Sequence, residues 1–178
     1  MIRTERLVLR PIEARDHDPL MAMLTDPIVM QDLVRHPTGE AARASIDRHI
    51  GYRASQGLGF WTVEQDGAVA GLCGLKPGAP NTPIAGEVEI GWLLATPFWG
   101  RGLATEAARA SLDWAWANTA APRVVAITAS NHAKSQEVMA RLGMTRLPEG
   151  DFEHPLHPVQ DPLRASVTFA INRPRPAN

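Results

Sequence analysis

The sequence predicts an α/β fold, one domain built on a mixed β-sheet with helices packed against it. Three observations carry this. The chain has 178 residues, close to one domain's length and enough to bury roughly 70% of its unfolded surface. Segments with period-two apolar alternation are interleaved with segments of helical period. The run Val124, Val125, Ala126, Ile127 is continuously apolar and short, the pattern of a strand covered on both faces.

Each element follows in order. Arg6 to Pro11 alternates, with Leu7 and Leu9 apolar, and stops at a proline, so it reads as the first strand. Glu13 to Leu24 has helical spacing. Thr38-Gly39-Glu40 opens a second helix running to about Ser55, with Ala41, Ala44, Ile46 and Ile50 available for burial. Gly57 and Gly59 break the chain. Phe60 to Glu64, Ala68 to Lys76 and Glu87 to Leu94 then read as strands, the first two joined as a hairpin by Gln65-Asp66-Gly67. Lys76 to Gly86, with Pro77, Pro80 and Pro83, is a loop. Leu103 to Thr119 is an alanine-rich helix, Arg123 to Ala129 the buried strand, and Lys134 to Leu142 a helix closed by Gly143. Residues 148–163 hold prolines and histidines without periodicity, and Ala165 to Ile171 is the last strand. No repeat or linker interrupts the chain, so residues 1–172 form one domain, with 173–178 a frayed tail.

Composition narrows the function. Hydrophobic residues make up 44% and charged residues 21%, ordinary globular usage that argues against disordered and fibrous classes. Lys plus Arg (18) nearly cancels Asp plus Glu (19), for a net charge of -1; the basic footprint of a nucleic-acid binder is missing. The single cysteine, Cys73, excludes an intramolecular disulfide framework and a cysteine-based zinc site, and fits a reducing cytoplasm. The charged N-terminus and the lack of a run approaching roughly 20 apolar residues argue against secretion and membrane insertion.

The segment from strand 87–94 through loop 95–100 to the helix at Gly102 carries the chemistry. Gly100 and Gly102 permit close backbone approach, and the unpaired N–H groups of a helix's first turn suit a pyrophosphate. A tight strand-to-helix connection is the plainer account of the same glycines. A P-loop is excluded because no Gly-Lys-Ser/Thr follows, and a dinucleotide fingerprint because Thr105 occupies the third glycine position.

The whole string Glu89-Ile-Gly-Trp-Leu-Leu-Ala-Thr-Pro-Phe-Trp-Gly-Arg-Gly-Leu-Ala-Thr-Glu-Ala107 resembles the acetyl-CoA motif of the GNAT superfamily of N-acetyltransferases. Its wording is closest to the branch containing ribosomal-protein N-terminal acetyltransferases of the RimJ/RimL kind. Thr4 to Pro11 and Ser130 to Met144 resemble two further strings of that branch, in the same order. The resemblance implies a single GNAT-like domain, about four helices on a mixed sheet with a splayed strand pair at the acetyl-CoA site. It places the cofactor-binding motif on Trp99, Gly100, Arg101, Gly102, Leu103 and Ala104, with Trp99 replacing the usual Gln or Arg, and implies pyrophosphate contacts mainly from the backbone amides from about Arg101 to Thr105. It implies pantetheine contacts from backbone groups of Trp92 and Leu94, and places Asn131 and Ser135 toward the pantetheine and thioester. For Asn131 a helix N-cap, and for Ser135 an idle helix position, are the plainer readings.

Catalysis needs an acid and a base. Similar enzymes carry a tyrosine where this chain has Met139, which leaves Ser135 or a water to serve the leaving thiolate. Attack requires a neutral amine, so a base is useful, and Glu89 is the first candidate, with Glu87 on the same strand face by alternation. A strand glutamate paired to arginine, or a water relay, is the alternative. His154 and His157 lack the further ligands of a metal site, so no metal is expected. Residues 25–38 and 148–163 are candidates to line an acceptor cleft, with Asp26, Asp32, Asp151 and Glu153 available to a cationic amine. Trp61, Trp114 and Trp116 read as core. The expected activity is direct acetyl transfer from acetyl-CoA to a primary amine, a protein N-terminus or a small molecule, without a covalent intermediate. Homodimers are common among similar proteins. The alternative is a non-catalytic acyl-CoA-binding or regulatory module on the same fold.

Overall fold

The computed structural model describes residues 1–33 and 38–175. In chain order it contains β1 (Ile2–Arg3), β2 (Val8–Arg10), α1 (His17–Thr25), α2 (Gly39–Gln56), β3 (Gly59–Gln65), β4 (Ala68–Pro77), β5 (Val88–Leu94), α3 (Leu103–Asn118), β6 (Arg123–Ala129), α4 (Ala133–Arg141), β7 (Thr145–Arg146), β8 (Phe152–Glu153) and β9 (Ala165–Asn172). The strands form one mixed sheet in the order β1-β2-β3-β4-β5-β6-β9-β7, with β8 also paired to β9. β5 and β6 are its parallel pair, joined through α3 as a parallel crossover requires.

Residue alternation sorts the sheet into two faces. Trp61, Cys73, Leu75, Ile90, Leu94, Val124 and Ala126 pack with Leu103, Ala107, Leu112 and Ala115 of α3 and Met139 and Leu142 of α4. On the other face Leu72, Phe60 and Leu93 meet Leu20, Met23 and Leu24 of α1 and Ala42 and Ile46 of α2. The register Lys76↔Glu89, Gly74↔Gly91, Leu72↔Leu93 shows that Glu89 points to the α1/α2 face, in the same column as Leu93.

Local chemistry sets the ends. Thr38 Oγ1 accepts the N–H of Ala41 at 3.1 Å and starts α2. The entry to α1 is locked by a buried ion pair: Arg10 Nη1 and Nη2 donate to Asp16 at 2.7 and 2.8 Å, and Thr62 Oγ1 donates to Asp16 at 2.9 Å. Burial pushes the Asp16 carboxyl up, but these hydrogen bonds prevail and hold it below its ordinary value.

Several elements differ from expectation. The first strand is shorter, Val8–Arg10, and pairs with the two-residue β1. The predicted helix from Glu13 begins as a 3-10 turn, Ala14–Asp16, before α1. The stretch 148–163 contains a 3-10 turn and β8. The predicted fraying does not begin at Arg173. Its guanidinium donates to the carbonyls of Ala121, Trp116 and Thr119 at 3.0, 2.7 and 2.6 Å and lies 5.2 Å from the Trp116 ring. Residues 176–178 of that expected tail, and 34–37 of the expected acceptor cleft, lie outside the described residues. Among the described residues no helix is long and apolar enough to cross a membrane.

Candidate functional site

The site begins with an exposed strand edge. Gly78 N–H donates to Glu87 O and Ala95 N–H to Ala70 O, each at 2.9 Å, so odd-numbered β5 residues bond to β4. Antiparallel alternation turns the backbone groups of Ile90, Trp92 and Leu94 the other way, toward β6. β6 is in register with β5 at Val88 and Glu89 and then departs. Beyond Glu89 the strands are splayed, and the edge at Trp92 and Leu94 has no strand partner among the described residues. The carbonyl of Leu94 accepts Trp99 Nε1 at 2.6 Å, which folds the indole back over the strand end.

The connection from β5 ends at a helix N-terminus. Gly100 and Gly102 have φ of +72° and +74°, the left-handed region where a Cβ is costly. Gly102 is the N-cap of α3 and makes no side-chain cap. Glu106 N–H is bonded to Gly102 O at 3.1 Å, so the N–H groups of Leu103, Ala104 and Thr105 precede the first intrahelical bond and present the positive end of the helix dipole. A clamp holds this turn from behind. Glu106 accepts from Thr4 Oγ1, Arg6 N and Arg6 Nε at 2.6, 3.0 and 2.7 Å, and Arg6 Nη1 donates to the carbonyl of Arg101 at 2.9 Å.

A cavity of about 620 Å³ runs along this edge. β5 contributes Trp92, Leu93 and Leu94; the connection contributes Phe98, Trp99 and Gly100; α3 and its cap contribute Gly102, Leu103, Ala104 and Thr105. Opposite stand Ser135, Val138 and Arg141 of α4, with Lys134 reaching to 5.0 Å from the Trp99 ring. Val29, Asp32 and Leu33, in the stretch after α1, close a third side. The cavity thus gathers most of the residues expected from the sequence. Three stand off its lining. Arg101 is exposed, with its carbonyl turned to Arg6. Asn131 is exposed in the turn before α4, and the N-cap position falls on His132.

Glu89 is the third. It is 5% exposed and ion-paired with Lys76 on the α1/α2 face. Burial pushes its carboxyl up, opposed by Lys76 and a hydrogen bond from the Ala79 backbone. Glu87 lies before the strand and is held by Arg123 Nη2 and Nε at 2.5 and 3.0 Å. Gly91, between Glu89 and Leu93, has Phe60 pressed on it: a Cβ there would lie 2.7 Å from Phe60 Cζ. Met139 is buried in the core at 1% exposure. Cys73 is fully buried beside Ser111, and burial pushes its thiol up to about 12, which removes it as a nucleophile. Asp26, Asp151 and Glu153 are occupied by the Ile28 amide, Arg146 and Arg164 respectively.

Sequence reasoning missed two groups. Glu106 lies within the motif, but its partners are 100 or more positions away. His132 lines the cavity, and the signal for it was its place at the turn from the buried strand into α4.

The match to known proteins agrees with this geometry. A family model described as an acetyltransferase (GNAT) domain matches residues 6–145. The uncharacterized protein YkkB of Bacillus subtilis is 29% identical over 144 residues, 79% of this chain and 83% of that protein. The uncharacterized N-acetyltransferase YnaD of Bacillus subtilis is 27% identical over 155 residues, 85% of each. The crystal structure of an acetyltransferase from Agrobacterium tumefaciens superposes with a TM-score of 0.79 at 27% identity, covering 96% of this chain and 93% of that one.

Proposed function

The chain belongs to the GNAT acetyltransferase family and is an acyltransferase, and from that premise we propose that it transfers the acetyl group of acetyl-CoA directly to a primary amine. The observation that carries this reading is the splayed β5 edge at Trp92 and Leu94 running into the uncapped N-terminus of α3. The residues present fit the co-substrate. A pantetheine arm carries amide groups that need partners, and the β5 edge has no strand partner at the Trp92 backbone and the Leu94 N–H, the Leu94 carbonyl being taken by Trp99 Nε1. A pyrophosphate needs N–H donors and positive potential, which Leu103, Ala104 and Thr105 supply, with Lys134 and Arg141 on the opposite wall.

When bound, acetyl-CoA supplies an acyl carbon activated by a thiolate leaving group. The protein's part is to hold that carbon at the splay, to present an amine, and to manage protons. Ser135, 9% exposed and on the lining, is the hydroxyl available to the departing sulfur where Met139 offers none. The Glu89–Lys76 pair closes the inner end of the splay from the α1/α2 face.

The test is release of free CoA thiol from acetyl-CoA with a panel of primary amines: a peptide with a free N-terminus, an amino acid, a polyamine and an aminoglycoside. Turnover with one class supports the reading. Saturable CoA binding with no turnover across the panel selects the non-catalytic module instead.

A further inference from the structure

One pairing in the cavity wall belongs neither to the β5 edge nor to the N-terminus of α3. His132, at the entry to α4, is hydrogen-bonded on one side and faces a carboxylate on the other: its Nδ1 lies 3.1 Å from Thr128 Oγ1 on β6, and its Nε2 lies 3.7 Å from Asp32 Oδ2 in the stretch after α1. Both His132 and Asp32 line the same cavity as Ser135. Their side chains are 18% and 35% exposed, so the pair is sheltered yet open to the cavity. When Nδ1–H donates to Thr128, Nε2 carries the lone pair, and it faces a carboxylate across a gap too long for a direct hydrogen bond. Two acceptors so placed invite a group that donates to both. A primary ammonium has three N–H donors and a positive charge, and it satisfies the pair at once.

We infer that Asp32 and His132 are the acceptor-amine site, Asp32 binding the ammonium and His132 Nε2 taking its proton. This rests on the acetyl-transfer reading above, and it gives His132 the role that the sequence assigned to Glu89. The ammonium gives one proton to Nε2, and the free amine attacks the acyl carbon. The C–N bond forms and the C–S bond breaks. Of the two protons left on nitrogen, one goes to the departing thiolate and the other stays on the amide, and His132 returns its own proton to solvent. One amide, one thiol and one proton result.

The surroundings suit the task. Burial holds the His132 imidazole below its ordinary value, Lys134 acts in the same direction and Asp32 opposes, so the ring is neutral and ready to accept near pH 7. Glu137 and Arg141 are the other charged groups of α4 on this cavity. Glu89, by contrast, is committed to Lys76 and lies off the lining. The substrate class is a cationic primary amine small or slender enough to reach Asp32.

The experiment compares His132→Gln, Asp32→Asn and Glu89→Gln with wild type in the thiol-release assay, using the panel amine that turns over best. His132→Gln should lower kcat about 10²- to 10⁴-fold and remove the acidic limb of the pH–rate profile, with CoA affinity and melting temperature retained. Asp32→Asn should chiefly raise the KM for the amine. A His132→Gln enzyme within a few-fold of wild type with its acidic limb intact overturns the inference, as does loss of that limb in Glu89→Gln alone. A readout independent of turnover separates this failure from that of the acetyl-transfer reading. Spermidine added to the CoA-loaded protein as a probe should shift the His132 ring resonances in wild type and leave them in place in Asp32→Asn; unmoved ring signals in wild type overturn the inference even if transfer is observed.

Discussion

Replacing Gly102 probes the pyrophosphate end of the site by conformation alone. Its φ is +74° with ψ of 3°, and the nearest atom to an added Cβ is Arg6 Nη2 at 3.7 Å. The space is therefore open, and the cost of a side chain is the left-handed backbone, about 1–2 kcal/mol for an ordinary residue and more for a β-branched one. Gly102→Ala should keep the turn and lower the melting temperature by about 2–8 °C, since each kcal/mol is worth roughly 2–4 °C at this size. Gly102→Val should instead drive the turn out of the left-handed region. The Arg101 carbonyl then leaves Arg6 Nη1, and the N–H groups of Leu103 to Thr105 turn away from a common point. Calorimetric titration should show the CoA dissociation constant raised at least tenfold, about 1.4 kcal/mol, with the folded circular dichroism spectrum kept. Valine at 102 with wild-type affinity would refute the argument that these amides bind the pyrophosphate.

Three further outcomes are expected. Ser135→Ala should lower kcat more than it weakens CoA binding, because a group that serves the departing sulfur acts mainly in the transition state; steady-state kinetics beside calorimetry checks this, and a loss confined to CoA affinity would make Ser135 a cofactor contact. His49, 8% exposed and stacked on Phe60 at 4.0 Å, has its imidazole lowered to about 3 by burial, then by Lys76 and Arg48. The unfolded chain binds that proton near pH 6.5 and the folded chain refuses it until about pH 3, so stability is lost as pH falls through that window, by about 2 kcal/mol between pH 7 and pH 5; denaturant melts of His49→Phe at both pH values should lack this increment. Asp16→Asn removes the carboxylate that holds both Nη1 and Nη2 of Arg10 and leaves Glu64, 2.9 Å from Nε, as its close countercharge, so it should cost about 1.5–3 kcal/mol in urea unfolding; a loss below about 1 kcal/mol would contradict the buried-pair account.

What was legible in the sequence was what is decided locally. The apolar run 123–129 became β6 with those bounds, because a strand covered on both faces carries its own signal. The helix from Leu103 was readable from its period and its preceding glycines. The two-residue strands β1, β7 and β8 were not, since their only reason to be extended is a distant partner: Ile2 pairs with Leu9, Thr145 with Ala170, Phe152 with Ser166. The anchoring of Arg173 is not legible in the sequence, because the three carbonyls that take its guanidinium, those of Trp116, Thr119 and Ala121, lie more than 50 positions away. At the site, the family resemblance pointed to the backbone of Trp92 and Leu94, whose groups turn to the splayed side of β5. Alternation did not reveal which way Glu89 faces relative to the cavity, because that depends on which helices cover which face. The Asp32–His132 pairing joins the stretch after α1 to the entry of α4, a contact that no spacing in one sequence encodes.

The account stands most directly on where CoA binds, and backbone amide resonances followed during a CoA titration measure that. The largest saturable shifts are expected at Trp92, Leu94, Leu103, Ala104 and Thr105, with Ser135 moving on the opposite wall and the separate pocket around Gln56, Gly86 and Arg123 unmoved. Shifts that cluster around Arg123 while the β5 edge and the α3 N-terminus stay in place would contradict it.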